Sequence, residues 1–139
     1  MKVLVDTSVW SLAFRKKNPT DVEKKIIEEL KELLRELRVV LIGPIRQELL
    51  SGISNEIKFQ SLKEKMRAFD DLAISSQDYE NAAKVYNECR KNGIQGSQID
   101  YLICSVARSN NISIFTTDKD FLNYSKIIEI MLHQVRKEL

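Results

Sequence analysis

The chain has 139 residues, of which 43% are hydrophobic and 30% charged, with 22 basic and 20 acidic side chains and a formal net charge of +2. That length suits one domain with a real core and is short for two, and the balance excludes a disordered or membrane-embedded chain; a single domain over residues 1–139 is expected. No apolar run approaches the roughly 20 residues that span a bilayer, and Met1-Lys2-Val3 leads straight into an apolar strand, so no membrane association is expected and the cytoplasm is the expected location.

Lys2 to Val5 is a short β-branched run fit for a strand covered on both faces, with Asp6 at its exit. Thr20-Asp21-Val22-Glu23 has the form of a capping box, and Val22, Ile26, Ile27, Leu30, Leu33, Leu34 and Leu37 then recur at helical spacing above a solvated face of Glu, Lys and Arg. Val39 to Ile42 reads as a second buried strand, closed by Gly43 and followed by a helix that opens on Pro44 and holds Ile45, Glu48, Leu49 and Ile53. A further helical pattern covers Ile57, Leu62, Met66 and Phe69, with a brief strand at Leu72 to Ile74. Ser75 or Ser76 caps a helix carrying Tyr79, Ala82, Ala83, Tyr86 and Cys89, which Gly93 stops.

Ser97 caps the next helix, with Ile99, Leu102, Ile103, Val106 and Ala107 on one side. Ile112 to Phe115 is the third clear strand, Asp118 to Tyr124 a short helix, and Ile127 to Met131 a last edge strand. Strands alternating with helices predict an α/β fold with a mostly parallel central sheet and helices on both faces. Cys89 and Cys104 are isolated thiols and His133 is the only histidine, which points to reduced structural cysteines and argues against a zinc site.

In open α/β sheets ligands collect beyond the carboxyl ends of the strands, where Asp6 and Asp118 fall, although either alone also suits a loop or a helix cap. Glu48 borders the apolar arc of its helix, about 60° from Ile45. Asp100 borders the arc of Ile99 and Ile103, and Ser97-x-x-Asp100 also resembles a capping box. Four carboxylates converging in one crevice repel one another unless a cation compensates them. Oxygen ligation without His or Cys suits magnesium or manganese, and such an ion can bridge to a phosphate oxygen and lower the pKa of an attacking water. The chemistry implied is metal-dependent phosphodiester hydrolysis. With four of the 20 acids so committed, the remaining 16 face 22 basic residues, an excess of +6 that moderately attracts a polyanion.

Val5-Asp6-Thr7-Ser8-Val9-Trp10, Pro44-Ile45-Arg46-Gln47-Glu48-Leu49, Gly96-Ser97-Gln98-Ile99-Asp100 leading into Leu102 to Ala107, and Thr117-Asp118-Lys119-Asp120-Phe121 occur in the order of a PIN domain, from Lys2 to about Met131. More narrowly the chain resembles the VapC-type toxins of toxin–antitoxin pairs. The resemblance implies a three-layer α/β/α sandwich and a magnesium- or manganese-dependent ribonuclease. Carried over by motif, Asp6, Glu48, Asp100 and Asp118 form the acidic quartet, with Asp6 and Asp100 the firmest metal ligands. Thr7, and Thr116 or Thr117, would orient carboxylates or a water. The resemblance also implies a homodimer and a cognate antitoxin that blocks the site. The fourth segment departs from many relatives by supplying two acids; Asp120 is expected to cap the short helix or hold a basic side chain, with ligation as the alternative.

Arg15, Lys16, Lys17 and Lys119 could form a basic rim for an RNA backbone, while Trp10, at helical spacing with Val9 and Phe14, reads first as core or interface. Four alternatives compete. A haloacid dehalogenase-type phosphatase expects a second acid where Ser8 stands, and a Toprim domain would leave Asp100 unexplained. A PIN nuclease of RNA processing shares the acids and the metal, and a degenerate PIN-like binding module would lack turnover.

Overall fold

The structure is a computed structural model, and it describes residues 1–136. Three short strands, β1 (Val3–Val5), β2 (Val39–Val40) and β3 (Ser113–Phe115), form a sheet of order β2-β1-β3. Both pairings are parallel, with Val3 opposite Val39 and Ser113 and with Val5 opposite Phe115. Single parallel bridges add one residue at each edge, Asp71 against Leu41 and Leu132 against Ile114. Successive residues of a strand point to opposite faces, so the complete burial of Val3, Leu4 and Val5 means that both faces of β1 are covered. This is the expected α/β sandwich with a parallel central sheet.

The helices are α1 (Thr7–Phe14), α2 (Asp21–Arg35), α3 (Gly43–Leu50), α4 (Glu56–Met66), α5 (Ser76–Lys91), α6 (Gln98–Ser109) and α7 (Asp120–Ser125). No helix among the described residues is long and apolar enough to cross a membrane. The capping box of α2 closes both ways between Thr20 and Glu23, and Ser75 makes the same closed box with Asp78 at α5. Gly93, at φ +76°, ends the α5 segment as expected, with the Ile94 N–H returning to the Cys89 carbonyl. In α6 every residue from Tyr101 to Ala107 is buried, because the helix packs against β3 and α5 together rather than presenting a single apolar side. Trp10 is a core residue whose Nε1–H donates to the Val5 carbonyl and whose ring stacks on Phe14. Cys89 and Cys104 are free and buried.

Three expectations are corrected. The last strand does not run from Ile127 to Met131: the Ile127 and Ile128 N–H groups both return to the Tyr124 carbonyl, and pairing with β3 reduces to one bridge at Leu132, made through the Met131 carbonyl and the His133 N–H. The brief strand at Leu72 to Ile74 reduces to the bridge at Asp71 and one bond from the Leu72 N–H to Leu41. Leu37, read as part of the apolar stripe of α2, is exposed at φ +57°, because it supplies the left-handed residue that lets the Arg38 N–H return to the Leu33 carbonyl and stop the helix.

Beyond Leu132 the chain is strapped onto α2. The buried Glu29 accepts from Arg136 Nε at 2.9 Å and meets His133 Nε2 at 2.7 Å, and Arg136 also bonds Glu36. Burial would raise the Glu29 carboxyl, but the Arg136 and His133 hydrogen bonds outweigh it and hold the group below its ordinary value of 4.5. A depressed carboxylate stabilises the fold above its unfolded pKa and loses that contribution as pH falls through the folded value. Glu29→Gln is therefore expected to cost about 1–3 kcal/mol at pH 7. Denaturant melts of the two proteins should converge as pH falls below 4.5.

Candidate functional site

Strand β1 lies between both neighbours, and the chain leaves it first for β2 and later for β3 on the other side, so its carboxyl end is the switch point where the crevice of a parallel sheet opens. Asp6 stands there, its N–H donating to the Phe115 carbonyl at 2.9 Å. It holds the N-cap position of α1, yet its side chain makes no capping bond. The carboxylate, only 6% exposed, instead accepts at Oδ2 from the Ser8 and Thr116 hydroxyls, each at 2.8 Å. Thr7, the first residue of α1, donates its hydroxyl to Glu48 Oε1, which ties α1 to α3. Pro44 in the first turn starts α3 and sets Glu48 one turn further along.

Asp100 lies in the first turn of α6, where its N–H donates to Ser97 Oγ at 3.1 Å. The reciprocal half of that capping box is missing, because Asp100 Oδ2 accepts from the Tyr124 hydroxyl at 2.7 Å. Asp118 accepts the Asp120 N–H at 2.9 Å and donates its own N–H to Thr116 Oγ1 at 3.0 Å. The capping bond expected of Asp120 thus falls to Asp118, and Asp120 holds no basic side chain among the described residues. Carboxylate oxygens of Asp100, Asp118 and Asp120 all lie within 4.8 Å of one another. Asp6 and Glu48 stand outside that group, but Glu48 raises Asp6, and Asp6 raises Asp100, by like charge. Thr117 contributes its backbone N–H, which donates to Ser8 Oγ at 3.0 Å.

Burial is the main cause that raises Asp6 above the ordinary carboxylate range; the Thr116 and Ser8 hydroxyls oppose it and Glu48 adds to it. Asp100 is raised chiefly by burial as well, against the Tyr124 and Ser97 hydroxyls and with Asp6 and Asp118 adding like charge. The described ion pairs all lie elsewhere, including Glu29 with Arg136 and Asp71 with Arg46, and none involves these five acids. The site therefore gathers negative charge with no ion-pair partner among the described residues. A magnesium-sized ion holds oxygens at about 2.0–2.1 Å, so opposite donors stand about 4 Å apart. An all-oxygen group with a spread below 4.8 Å fits such an ion with small adjustments.

Ser8 and Tyr124 were not singled out as site residues from the sequence. Ser8, two residues after Asp6, carries a usable local signal, whereas Tyr124 reaches Asp100 across 24 positions and reads locally as the end of a short helix. Burial and the bond to Asp100 push the Tyr124 phenol up, which keeps it a donor. The four basic candidates separate. Arg15 donates to the Leu49 carbonyl at the end of α3, Lys16 pairs with Glu23 at 2.7 Å, Lys17 is exposed, and Lys119 lies beside Asp118 on the wall of a cavity.

A family model described as the PIN domain matches residues 3–127. The chain belongs to the PIN-domain family. No curated protein matches it. Among solved structures, this PIN domain is similar to FitAcB from Neisseria gonorrhoeae, at 20% identity and TM-score 0.75 over 95% of this chain and 96% of that one. It is also similar to VapBC2 from Rickettsia felis bound to a DNA fragment from their promoter, at 19% identity and TM-score 0.75 over 96% and 98%. A toxin–antitoxin complex from Klebsiella pneumoniae matches at 17% identity and TM-score 0.65 over 86% and 90%.

Two expectations follow for the PIN domain itself. A raised carboxyl binds its proton more tightly folded than unfolded, so it destabilises the fold above the unfolded pKa, and that cost fades as pH falls through the folded value. In EDTA at pH 7, Asp100→Asn should raise the melting temperature by roughly 2–5 °C, and the gain should shrink toward pH 4. Gly96 is tightly enclosed: an added Cβ would meet the Tyr124 hydroxyl and lie 2.7 Å from both the Tyr101 hydroxyl and Tyr124 Cζ. Both rings are buried, so Gly96→Ala should cost about 1–3 kcal/mol by overpacking, read from denaturant unfolding.

Proposed function

We propose that the chain is a magnesium- or manganese-dependent endoribonuclease that acts as the toxin of a toxin–antitoxin pair. The observation that carries this reading is the group of three carboxylates, Asp100, Asp118 and Asp120, joined by like charge to Asp6 and through it to Glu48, with no ion-pair partner among the described residues. Repulsion of that kind is relieved by a bound divalent cation, and the donor set is oxygen alone. Asp6 and Asp100 are the firmest ligands in this reading, with Glu48 and Asp118 completing the catalytic set. The short distances within Asp100, Asp118 and Asp120 favour Asp120 as a further ligand rather than a cap.

When bound, such an ion supplies positive charge to the scissile phosphate and acidity to a water. The chain's own residues prepare the rest. Ser8 and Thr116 fix Oδ2 of Asp6, Thr7 fixes Glu48, and Tyr124 fixes Asp100, so each acid presents its other oxygen in a defined direction. Fixing the donors before substrate arrives lowers the reorganisation needed in the transition state. Lys17 and Lys119 hold the RNA backbone in this reading, and Arg15 and Lys16 extend the basic rim.

Similarity to VapBC2, FitAcB and a toxin–antitoxin complex supports the toxin assignment. The reading extends to a small cognate antitoxin that covers the acidic crevice, to a homodimer, and to action in the cytoplasm as one domain over residues 1–139. Single-stranded RNA should be cut with Mg2+ or Mn2+ and spared in EDTA, and Asp6→Asn or Asp100→Asn should lower the rate by about 100-fold or more. Cleavage that survives chelation and both substitutions overturns the mechanism. Asp118→Asn and Asp120→Asn, assayed side by side, apportion the fourth segment. Growth arrest on expression, relieved by the product of an adjoining small gene, tests the toxin role.

A further inference from the structure

A cavity of about 290 Å3 lies beside the acidic crevice, between the end of β3, α7 and the strap that follows Leu132. Asp118 belongs to its wall, so the cavity and the carboxylate cluster share a boundary. Lys119, Leu122, His133, Gln134 and Val135 also line it. Leu122 is 53% exposed and Val135 38%, an apolar pair left open to water beside a group of acids. Gln134 makes no side-chain hydrogen bond among the described residues, leaving an amide donor and acceptor free.

The wall is set in place before any ligand arrives. The Ile114 N–H donates to the Met131 carbonyl and the His133 N–H to the Ile114 carbonyl, each at 2.8 Å, which docks the start of the strap on β3. His133 and Arg136 then grip the same Glu29 carboxylate from either side of Gln134 and Val135. The His133 ring rests edge-on against Phe115, centroids 5.2 Å apart, so the floor is braced as well. A pocket held this way binds without the entropy loss of ordering its own wall.

A nucleobase has apolar faces and a hydrogen-bonding edge, and it hangs from a phosphate. We propose that this cavity receives the base next to the scissile phosphate of single-stranded RNA, with Leu122 and Val135 against its face, Gln134 on its edge and Lys119 on the adjoining phosphate. The proposal rests on the ribonuclease reading. It adds to that reading the place where sequence selectivity arises: Asp118 sits at the lip, so a phosphate engaged at the acids leaves its neighbouring base within reach of the strap. An unstacked base is required, which makes single-stranded RNA the substrate rather than a duplex.

The test is a cleavage profile on a random-sequence single-stranded RNA pool with Mn2+, comparing wild type, Gln134→Ala and Leu122→Asp, with Mn2+ binding to each protein followed by calorimetry. Both substituted side chains are exposed, so folded proteins are expected, and melting curves check it. Gln134→Ala should reduce base preference at one position beside the cut by roughly three- to tenfold, and Leu122→Asp should raise KM for a short oligonucleotide by a similar factor, while Mn2+ affinity stays as in wild type. Metal-dependent cleavage with an unchanged base profile and KM in both variants overturns the subsite and leaves the ribonuclease reading standing. Absence of metal-dependent cleavage in the wild-type arm overturns the ribonuclease reading and the subsite with it.

Discussion

The burial of carboxylates close to other acids at the carboxyl end of β1 is the constraint around which the structure is organised. Asp6 and Asp100 are both pushed toward protonation by burial and by neighbouring acids, and the described residues answer with neutral hydroxyls rather than with ammonium or guanidinium groups. Ser8, Thr116, Thr7 and Tyr124 each donate one hydrogen bond, which steadies an oxygen without cancelling its charge. A lysine in the same place would neutralise the crevice and close it to a metal. Charge is left uncompensated here, whereas the buried Glu29 on the other side of the strap is fully paired.

Much of this organisation was legible because it is local. Val3 to Val5 is a short apolar run and Ser113 to Phe115 holds only one small polar residue, and both are buried on each face. The Thr20 box, the Pro44 start and the Gly93 stop depend on residues within a few positions of one another and formed where expected. The PIN-like order of motifs marks Asp6, Glu48, Asp100 and Asp118 as candidates, of which Asp100 and Asp118 join Asp120 in the tight group while Asp6 and Glu48 stand outside it. The sandwich therefore emerged from periodicity, and the crevice from where acids stand relative to strand ends.

What sequence reasoning missed is long-range or directional. Ser97-x-x-Asp100 is indistinguishable in sequence from Ser75-x-x-Asp78, yet one box closes and the other stays half open because Tyr124 captures the Asp100 carboxylate. Asp118 and Asp120 are equally plausible caps on paper, and which one accepts the N–H depends on the turn leaving β3. The apolar run Ile127 to Met131 looked like a strand, but two of its N–H groups are spent on closing α7. Leu37 looked like part of a stripe until its left-handed backbone showed it to be a helix terminator.

The acids of the crevice come from segments scattered along the chain, and the hydroxyl contacts that orient them bridge up to 110 positions. During synthesis the amino-terminal parts leave the ribosome first, and the cluster of Asp100, Asp118 and Asp120 is incomplete until residue 120 has been made. Asp6 waits, without the Thr116 hydroxyl that steadies it, until residue 116 has been made. A nascent chain consequently lacks the assembled crevice for most of its translation, and the carboxylates are brought together only once residue 120 has been made.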